Sequence, residues 1–242
     1  MNLVIDIGNT LVKFAVFDRD QMLVDQLSDS SHFVSKVKEL FELYPKINSA
    51  IISSVGKITK KEVEIVSLFC QVHVLSHKSK VPFKNSYATP KTLGVDRIAL
   101  ATAAFYHNPR GNTLVIDAGT CITFDMVNDY GEYLGGAISP GVSMRYWAMN
   151  EKTTGLPMLE PTEINDFIGN STKSCMHSGI LNGIMNEVDG TIDQYRQRFE
   201  HLTVILTGGE AHFFAKSLKN TIFANSKILL EGLNYLLKYN KS

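Results

Sequence analysis

Two nearly identical six-residue segments constrain this chain more than any other feature. Residues 3–8 read LVIDIG and residues 114–119 read LVIDAG, so the two copies differ at a single position. In each copy a short apolar run, typical of a buried strand, ends in an aspartate that is followed closely by a glycine. Similarity at a domain-sized spacing indicates a duplicated unit and favours two similar lobes over a solenoid. The sequence therefore predicts two lobes, residues 1–110 and 111–242, divided at the chain break Pro109-Arg110-Gly111.

The order of predicted elements is similar in the two lobes. Each begins with three short strands and continues with helices and further strands, an order that predicts an α/β fold with a mixed sheet covered by helices. The main predicted elements are strands 3–7, 11–17, 22–27, 114–117, 121–127 and 132–138, and helices from 30 or 31 to 44, 93–107, 171–199 and 229–239.

Composition argues against several classes of function. Lys+Arg and Asp+Glu each total 24, so no net charge would attract nucleic acid or an anionic membrane. The three cysteines are widely spaced and form no CxxC pair, which favours reduced thiols over disulfides or a zinc site. The chain opens directly on an apolar strand, and no apolar run reaches the ~18 residues of a membrane span. We therefore expect a cytoplasmic protein.

The first loop, Asp6-Ile7-Gly8-Asn9-Thr10, carries groups that can hold phosphate. A glycine lets backbone N–H groups approach a ligand closely, and small hydroxyl and amide side chains donate to phosphate oxygens. Asp6 would act through Mg²⁺ or water, because direct contact with phosphate is repulsive. Lys13, on the next strand, could reach a phosphate as a point charge. Alone, the segment is equally typical of a simple hairpin turn.

The second loop, Asp117-Ala118-Gly119-Thr120, strengthens the phosphate interpretation. A turn by itself does not require an aspartate after an apolar strand at matching places in both lobes. Two such loops would hold a polyphosphate from both sides, with the nucleotide in the cleft between the lobes. The second copy lacks the asparagine, so Asp117 is expected to hold a cation rather than to repeat the role of Asp6.

Two further glycine-rich segments fit the same interpretation. Residues 135–141 (GGAISPG) and 207–209 (TGG) each follow or end a predicted strand at a helix start, where N–H groups favour an anion or a nucleotide sugar. Each is weak alone, because Gly-Gly turns are common. Together with the two loops they predict an ATP-dependent small-molecule kinase.

The motifs DxGNT at 6–10, GxDR at 94–97, DxGT at 117–120, GGxIxPG at 135–141 and TGG at 207–209 occur in an order similar to that of type III pantothenate kinases. The chain resembles that family, which belongs to the acetate kinase, sugar kinase, Hsp70 and actin superfamily, from residue 2 to about residue 237. The phosphate loops alone indicate only the superfamily, and the GxDR segment is what points to this family. The resemblance implies ribonuclease H-like lobes and phosphorylation of pantothenate by ATP, the first committed step to coenzyme A. It also implies Mg²⁺ with ATP, a monovalent cation (K⁺ or NH₄⁺) and a homodimer.

The resemblance also implies roles for individual residues, with Asp96 as the general base. A carboxylate that accepts the hydroxyl proton is what phosphoryl transfer to an alcohol requires, although an Asp-Arg pair at a helix start is also typical of a helix-dipole contact. Val95 stands where the family commonly has alanine. The implied ATP contacts are Asp6, Ile7, Gly8, Asn9, Thr10, Leu11, Val12, Lys13 and Thr120; the implied pantothenate contacts are Tyr87, Gly94, Val95, Asp96, Arg97 and Thr172; and the implied cation ligand is Asp117.

Two alternatives remain open from the residues. One is a different enzyme of the superfamily, such as a sugar kinase, an acetate kinase or a polyphosphate hydrolase. The other is a regulatory protein that binds a nucleotide without turnover. The presence of Asp6, Asp96 and Asp117 together favours an enzyme, because a protein that only binds has no need of a base.

Overall fold

The chain forms two compact units in a computed structural model that describes residues 1–8, 11–54, 59–162, 166–215 and 217–241. Unit 1 comprises Met1–Arg110, Gly131–Leu134 and Lys227–Ser242, and unit 2 comprises Gly111–Tyr130 and Gly135–Ser226. The strands are β1 (Asn2–Ile7), β2 (Val12–Asp18), β3 (Gln21–Ser28), β4 (Ser49–Ser54), β5 (Gln71–Val74), β6 (Lys84–Asn85), β7 (Thr113–Ala118), β8 (Cys121–Val127), β9 (Glu132–Pro140), β10 (Thr203–Thr207) and β11 (Phe223–Ala224). The helices are α1 (Phe33–Leu43), α2 (Lys60–Ser67), α3 (Val95–His107), α4 (Val142–Glu151), α5 (Thr172–Arg198), α6 (Ala211–Ala215) and α7 (Ile228–Asn240).

The sheet of unit 1 has the order β3-β2-β1-β4-β5. Strands β1, β2 and β3 are antiparallel, whereas β4 and β5 run parallel to β1. The register pairs Asp6 with Lys13 of β2 on one side and with Ser53 of β4 on the other. Residues directly opposite each other share a face of the sheet. The three side chains therefore lie together near the end of β1.

Helices cover both faces of this sheet. Successive residues of a strand point to opposite sides, so β1 contacts a different helix on each face. On one face Leu3 and Ile5 pack in a buried cluster with Phe33 and Val37 of α1. On the other face the Asn2 amide donates to Asn234 Oδ1 of α7 at 2.7 Å. The apolar strand predicted at 3–7 is thus buried on both sides.

Helix α7 belongs to unit 1, whereas the sequence predicts its residues as part of the second lobe. The physical reason is its close packing on α3. A Cβ on Gly232 would lie 2.0 Å from the Ala99 carbonyl oxygen, so the two helices meet backbone to backbone. The rings of Tyr106 and Tyr235 stack beside this contact, with centroids 4.3 Å apart.

The sheet of unit 2 contains β11, β10, β7, β8 and β9 in that order. Strands β10 and β11 run parallel to β7, and β8 is antiparallel to it. Asp117 is paired with Thr123 of β8 and with Thr207 of β10, as Asp6 is paired with its own antiparallel and parallel neighbours. The sequence repeat therefore corresponds to a structural repeat, and the predicted α/β fold with two mixed sheets is confirmed.

Helix α5, 27 residues long, forms much of the core of unit 2. Ser171 caps it, with the hydroxyl of Ser171 accepting from the Ser174 N–H. Buried residues recur every four positions along one face, as part of the pattern that predicted the helix: Met176, Ile180, Ile184, Val188 and Ile192. Among the helices of the described residues, none combines the length and the apolar character needed to cross a membrane.

Candidate active site

Asp6 is a buried carboxylate near the end of β1, only 6% exposed. Burial raises the pKa of Asp6 above its ordinary value. The positive charge of Lys13 and the hydroxyl of Ser53 lower this pKa, and the nearby charge of Asp96 raises it. Lys13 is therefore the main neighbour that favours the ionised form of Asp6.

The first phosphate loop turns immediately after this carboxylate. The Gly8 N–H donates to the Leu11 carbonyl at 3.1 Å. Leu11 is 40% exposed, whereas Val12 is buried in the core of unit 1. Asn9 and Thr10, two of the predicted ATP contacts, lie outside the described residues.

The start of α3 fixes the orientation of Asp96. Its Oδ1 accepts a hydrogen bond from the Arg97 backbone N–H at 2.8 Å, which folds the carboxylate back against its own helix turn. A Cβ on Gly94 would lie 2.4 Å from the same oxygen. Any side chain at position 94 would displace the carboxylate, so this carboxylate position requires glycine.

Arg97 and Tyr87 form the second half of this cluster. The Arg97 side chain is buried, 5% exposed, and its guanidinium carbon lies 5.8 Å from the centre of the Tyr87 ring. That separation is within the range of a cation–π contact. The Tyr133 ring lies beside Tyr87, with centroids 6.1 Å apart. Unit 1 thus brings together Tyr87, Gly94, Asp96 and Arg97, and Val95 occupies the first turn of the same helix.

In unit 2 the second phosphate loop, Asp117–Thr120, packs against the start of α4. The Gly141 N–H donates to the Thr120 carbonyl at 3.0 Å. A Cβ on Gly141 would lie 2.2 Å from the Gly119 carbonyl oxygen and 2.6 Å from the Thr120 carbonyl oxygen. The two segments therefore touch backbone to backbone, which only glycine permits at position 141.

The TGG segment reaches the same loop from the other side. Gly208 has φ +97°, and a Cβ there would lie 2.3 Å from the Ala118 carbonyl oxygen and 2.5 Å from Asp117 Oδ1. The Glu210 N–H donates to the same Ala118 carbonyl at 3.0 Å. The structure therefore brings the three glycine-rich segments of unit 2 into one cluster, with a carboxylate and several carbonyl oxygens at its centre.

A cavity of about 990 Å³ opens beside this cluster. Val142 and Glu210, which follow the two glycine segments, are among the residues that line it. Leu181 and Met185 of α5 and Phe213 of α6 provide apolar lining, and the polar lining residues are Thr162, Asn182, Asn186, Asp189, Ser217 and Lys219. Mixed apolar and polar lining of this kind is typical of small-molecule sites.

Thr120 and Thr172 are the remaining predicted contacts of unit 2. Thr120 is exposed at the tip of the second loop. Thr172 is exposed in the first turn of α5, next to the capping residue Ser171.

A family model described as type III pantothenate kinase matches residues 2–194. The chain belongs to the type III pantothenate kinase family. The match covers both phosphate loops, the Gly94–Arg97 helix start and most of α5, and it ends before the TGG segment. The family resemblance predicted from the motifs is confirmed, and with it the prediction of a kinase.

Curated relatives extend this likeness over the whole chain. A type III pantothenate kinase from Christiangramia forsetii is 46% identical over 242 residues, covering 100% of both chains. A type III pantothenate kinase from Flavobacterium johnsoniae is 44% identical over 239 residues, covering 99% of this chain and 98% of its own.

Solved structures share the fold at lower identity. A Campylobacter jejuni protein described as a Baf family transcriptional activator has a TM-score of 0.65 and 20% identity, covering 98% of each chain. A Listeria monocytogenes protein described as an N-acetylmannosamine kinase has a TM-score of 0.57 and 13% identity, covering 100% of this chain and 99% of its own. Likeness at these identities shows the fold alone.

Two residues of this type III pantothenate kinase family member lie close to the predicted site but were missed by sequence reasoning. Ser53 lies beside Asp6 because β4 runs parallel to β1, a long-range register that no local motif indicates. One carboxylate oxygen of Glu210 accepts from the Val142 N–H at 3.4 Å, joining the TGG segment to α4. The only local signal in the sequence that could have indicated Glu210 is its position directly after the TGG segment.

Proposed function

We propose that this protein transfers the γ-phosphoryl group of ATP to pantothenate, giving 4′-phosphopantothenate and ADP at the first committed step to coenzyme A. The observation that carries the proposal is the Gly94–Arg97 helix start in a chain of this family. There an oriented carboxylate, a buried guanidinium and an aromatic ring lie within one cluster. A substrate that carries a primary alcohol and a carboxylate matches this cluster, because the alcohol can donate to Asp96 and the carboxylate can accept from Arg97.

Asp96 serves as the general base in this proposal. One of its oxygens is held by the Arg97 N–H, and the other accepts the proton of the pantothenate hydroxyl. The hydroxyl oxygen then bonds to the γ-phosphorus as the bond to the β–γ bridging oxygen breaks. ADP leaves with that electron pair, and the proton remains on Asp96.

Arg97 and Tyr87 bind the substrate in this proposal. A guanidinium recognises carboxylates with strong, directional hydrogen bonds. The Tyr87 ring, 5.8 Å from the Arg97 guanidinium, limits the orientations that this group can take. Pantothenate would thus be held at its carboxylate end while its hydroxyl meets Asp96.

The residues from Asp6 to Lys13, together with Thr120, are assigned to ATP. Asp6 fits Mg²⁺·ATP, because a carboxylate is a hard oxygen ligand and Lys13 favours its ionised form. Mg²⁺, when bound, would neutralise charge on the phosphates. The cavity next to Val142 and Glu210 has room for the nucleoside portion.

Asp117 is assigned to a monovalent cation, K⁺ or NH₄⁺. Its Oδ1 and the Ala118 carbonyl oxygen are neighbours, since both lie within 2.5 Å of the position that a Cβ on Gly208 would take. Carboxylate and carbonyl oxygens are suitable ligands for such an ion. Replacing K⁺ by Na⁺ should lower the rate, and the Asp117→Asn variant should lose that difference. Equal rates in both salts would remove the assignment.

Three further parts of the proposal follow from the family. Thr172 contacts pantothenate, the active form is a homodimer, and the enzyme works in the cytoplasm. The free thiols of Cys70, Cys121 and Cys175 fit a reducing compartment. A molecular mass equal to that of a single chain, measured by light scattering, would contradict the proposed homodimer.

The decisive experiment measures ADP release from ATP, Mg²⁺ and K⁺ with and without pantothenate, and identifies the product by mass spectrometry. We expect pantothenate-dependent ADP and a product heavier by one phosphoryl group. Asp96→Asn should reduce turnover by at least about 100-fold while still binding ATP. Asp129→Asn, at an exposed turn of unit 2, is the matched control and should keep wild-type turnover.

Two results would contradict the proposal. Equal ADP release with and without pantothenate would indicate a hydrolase or another acceptor. ATP binding with no turnover on any tested acceptor would favour a nucleotide-binding regulatory protein.

A further inference from the structure

We infer that Arg145 is a positioning residue that holds the second phosphate loop, Asp117–Thr120, in its nucleotide-binding shape. The residue acts through the Ser139–Gly141 segment, to which its guanidinium is hydrogen-bonded. The inference rests on the proposed function, since it takes the second loop to contact ATP.

Arg145 makes several hydrogen bonds through one guanidinium. It lies in the first turn of α4, and its Nε donates to the Pro140 carbonyl at 2.9 Å. Its Nη2 donates to the Ser139 hydroxyl at 3.0 Å and to the Glu187 carboxylate of α5 at 2.5 Å. The side chain therefore ties the residues before α4 to a helix in the core of unit 2.

The segment that Arg145 holds is packed directly against the phosphate loop. A Cβ on Gly141 would lie 2.2 Å from the Gly119 carbonyl oxygen, and the Gly141 N–H already bonds to the Thr120 carbonyl. Movement of residues 139–141 must therefore shift residues 119 and 120. Arg145 thereby sets the position of the loop through this segment.

This positioning role needs arginine. A planar guanidinium has donors in several fixed directions, so it can bond a carbonyl, a hydroxyl and a carboxylate together, which one flexible ammonium does less well. The side chains of Arg145 and Glu187 are 22% and 33% exposed, and partly exposed ion pairs contribute little to stability. The effect of losing Arg145 should therefore appear mainly in ligand binding.

The test compares Arg145→Gln and Arg145→Lys with wild type in full-length protein. We expect Arg145→Gln to raise the KM for ATP about tenfold and to weaken Mg·ADP binding by calorimetry to the same extent, because a small displacement of a binding loop is costly. The KM for pantothenate should stay within about twofold, since the proposed contacts Tyr87 and Arg97 belong to unit 1 and Thr172 lies at the start of α5, about four turns before Glu187. Arg145→Lys should show most of the same defect, and it carries the test if the glutamine variant does not fold.

Two matched variants separate positioning from general stability. Glu187→Gln removes the charge but keeps an oxygen that can accept from Arg145, and it leaves the bonds to Ser139 and Pro140 in place, so its ATP KM should stay within about twofold of wild type. Arg196→Gln removes a guanidinium from α5 instead of α4. Arg196 is bonded to Asn220 and to the Thr221 carbonyl, and its loss should leave the ATP KM unchanged.

An ATP KM and an ADP affinity within about twofold of wild type in Arg145→Lys or Arg145→Gln would overturn the inference, whatever happens to the melting temperature. If the wild type bound Mg·ADP without phosphorylating pantothenate and Arg145→Gln weakened that binding, the proposed function would fail while this inference stood.

Discussion

At the scale of single residues, the proposed base is held by the atoms around one glycine. Asp96 Oδ1 occupies the space beside Gly94 that a side chain would need, 2.4 Å from an ideal Cβ. The same oxygen is fixed by the Arg97 N–H. The orientation of the carboxylate thus depends both on the absence of a side chain at position 94 and on the hydrogen bond from the Arg97 N–H.

Gly94→Ala should therefore displace the carboxylate and lower kcat by about 100-fold, with little change in melting temperature. Gly155→Ala is the matched control, because a Cβ there meets nothing within 4 Å. Steady-state kinetics and thermal unfolding of both variants check this. A Gly94→Ala enzyme with wild-type kcat would show that catalysis does not depend on this orientation of Asp96.

Asp6 offers a second test at this scale, through pH. Its pKa in the folded protein is raised above the ordinary value of 3.8, so the folded state holds the proton more tightly than the unfolded chain. The stability linked to this proton is fully present below pH 3.8 and is lost as the pH rises through the folded pKa.

Asp6→Asn should therefore raise the melting temperature by a few degrees at neutral pH and abolish activity, with the stability gain vanishing in acid. Calorimetry at a series of pH values from acidic to neutral measures the melting temperatures of the variant and of the wild type. Asp18→Asn, an exposed position at the end of β2, should change neither quantity. Destabilisation by Asp6→Asn at neutral pH would contradict the expected sign.

The residues that carry local motifs could be predicted from the sequence. Gly94, Asp96 and Arg97 lie within four consecutive positions, and the hydrogen bond from the Arg97 N–H to Asp96 is local. Ser53 and Arg145 could not be found this way, because the first depends on strand register and the second on a helix contact with Glu187.

At the scale of elements, long periodic segments were predicted well and short ones were not. The helix predicted at 171–199 is observed as Thr172–Arg198, and the one predicted at 229–239 as Ile228–Asn240. The two-residue strands β6 and β11 were not predicted. Elements this short hold too few residues for a period to show.

The contact between α3 and α7 gives a prediction at this scale. Gly232→Ala should lower the free energy of unfolding by about 1–3 kcal/mol, because a Cβ there meets the Ala99 backbone at 2.0 Å. Gly179→Ala, in α5, has open space around its Cβ and should raise it by about 0.5–1 kcal/mol, since alanine is the better helix former. Urea titration of both variants gives the comparison, and effects of the same sign would refute the packing argument.

At the scale of the whole molecule, the duplication made the fold predictable. Both aspartates end a central strand with one antiparallel and one parallel neighbour, so one motif indicated two mixed sheets. The return of α7 to unit 1 could not be foreseen from the sequence, because it depends on long-range contacts such as the backbone approach of Gly232 to Ala99 and the hydrogen bond between Asn2 and Asn234. Family membership follows from likeness over the full length of the chain.

The pairing of the first strand with the last helix has a consequence for biosynthesis. Asn2 bonds to Asn234 and also accepts from Lys241, so unit 1 is completed by residues at both ends of the chain. A nascent chain leaves the ribosome N-terminus first, so β1 emerges well before α7, which is synthesised more than 200 residues later. Unit 1, with its proposed catalytic base, therefore cannot close until α7 has also left the exit tunnel.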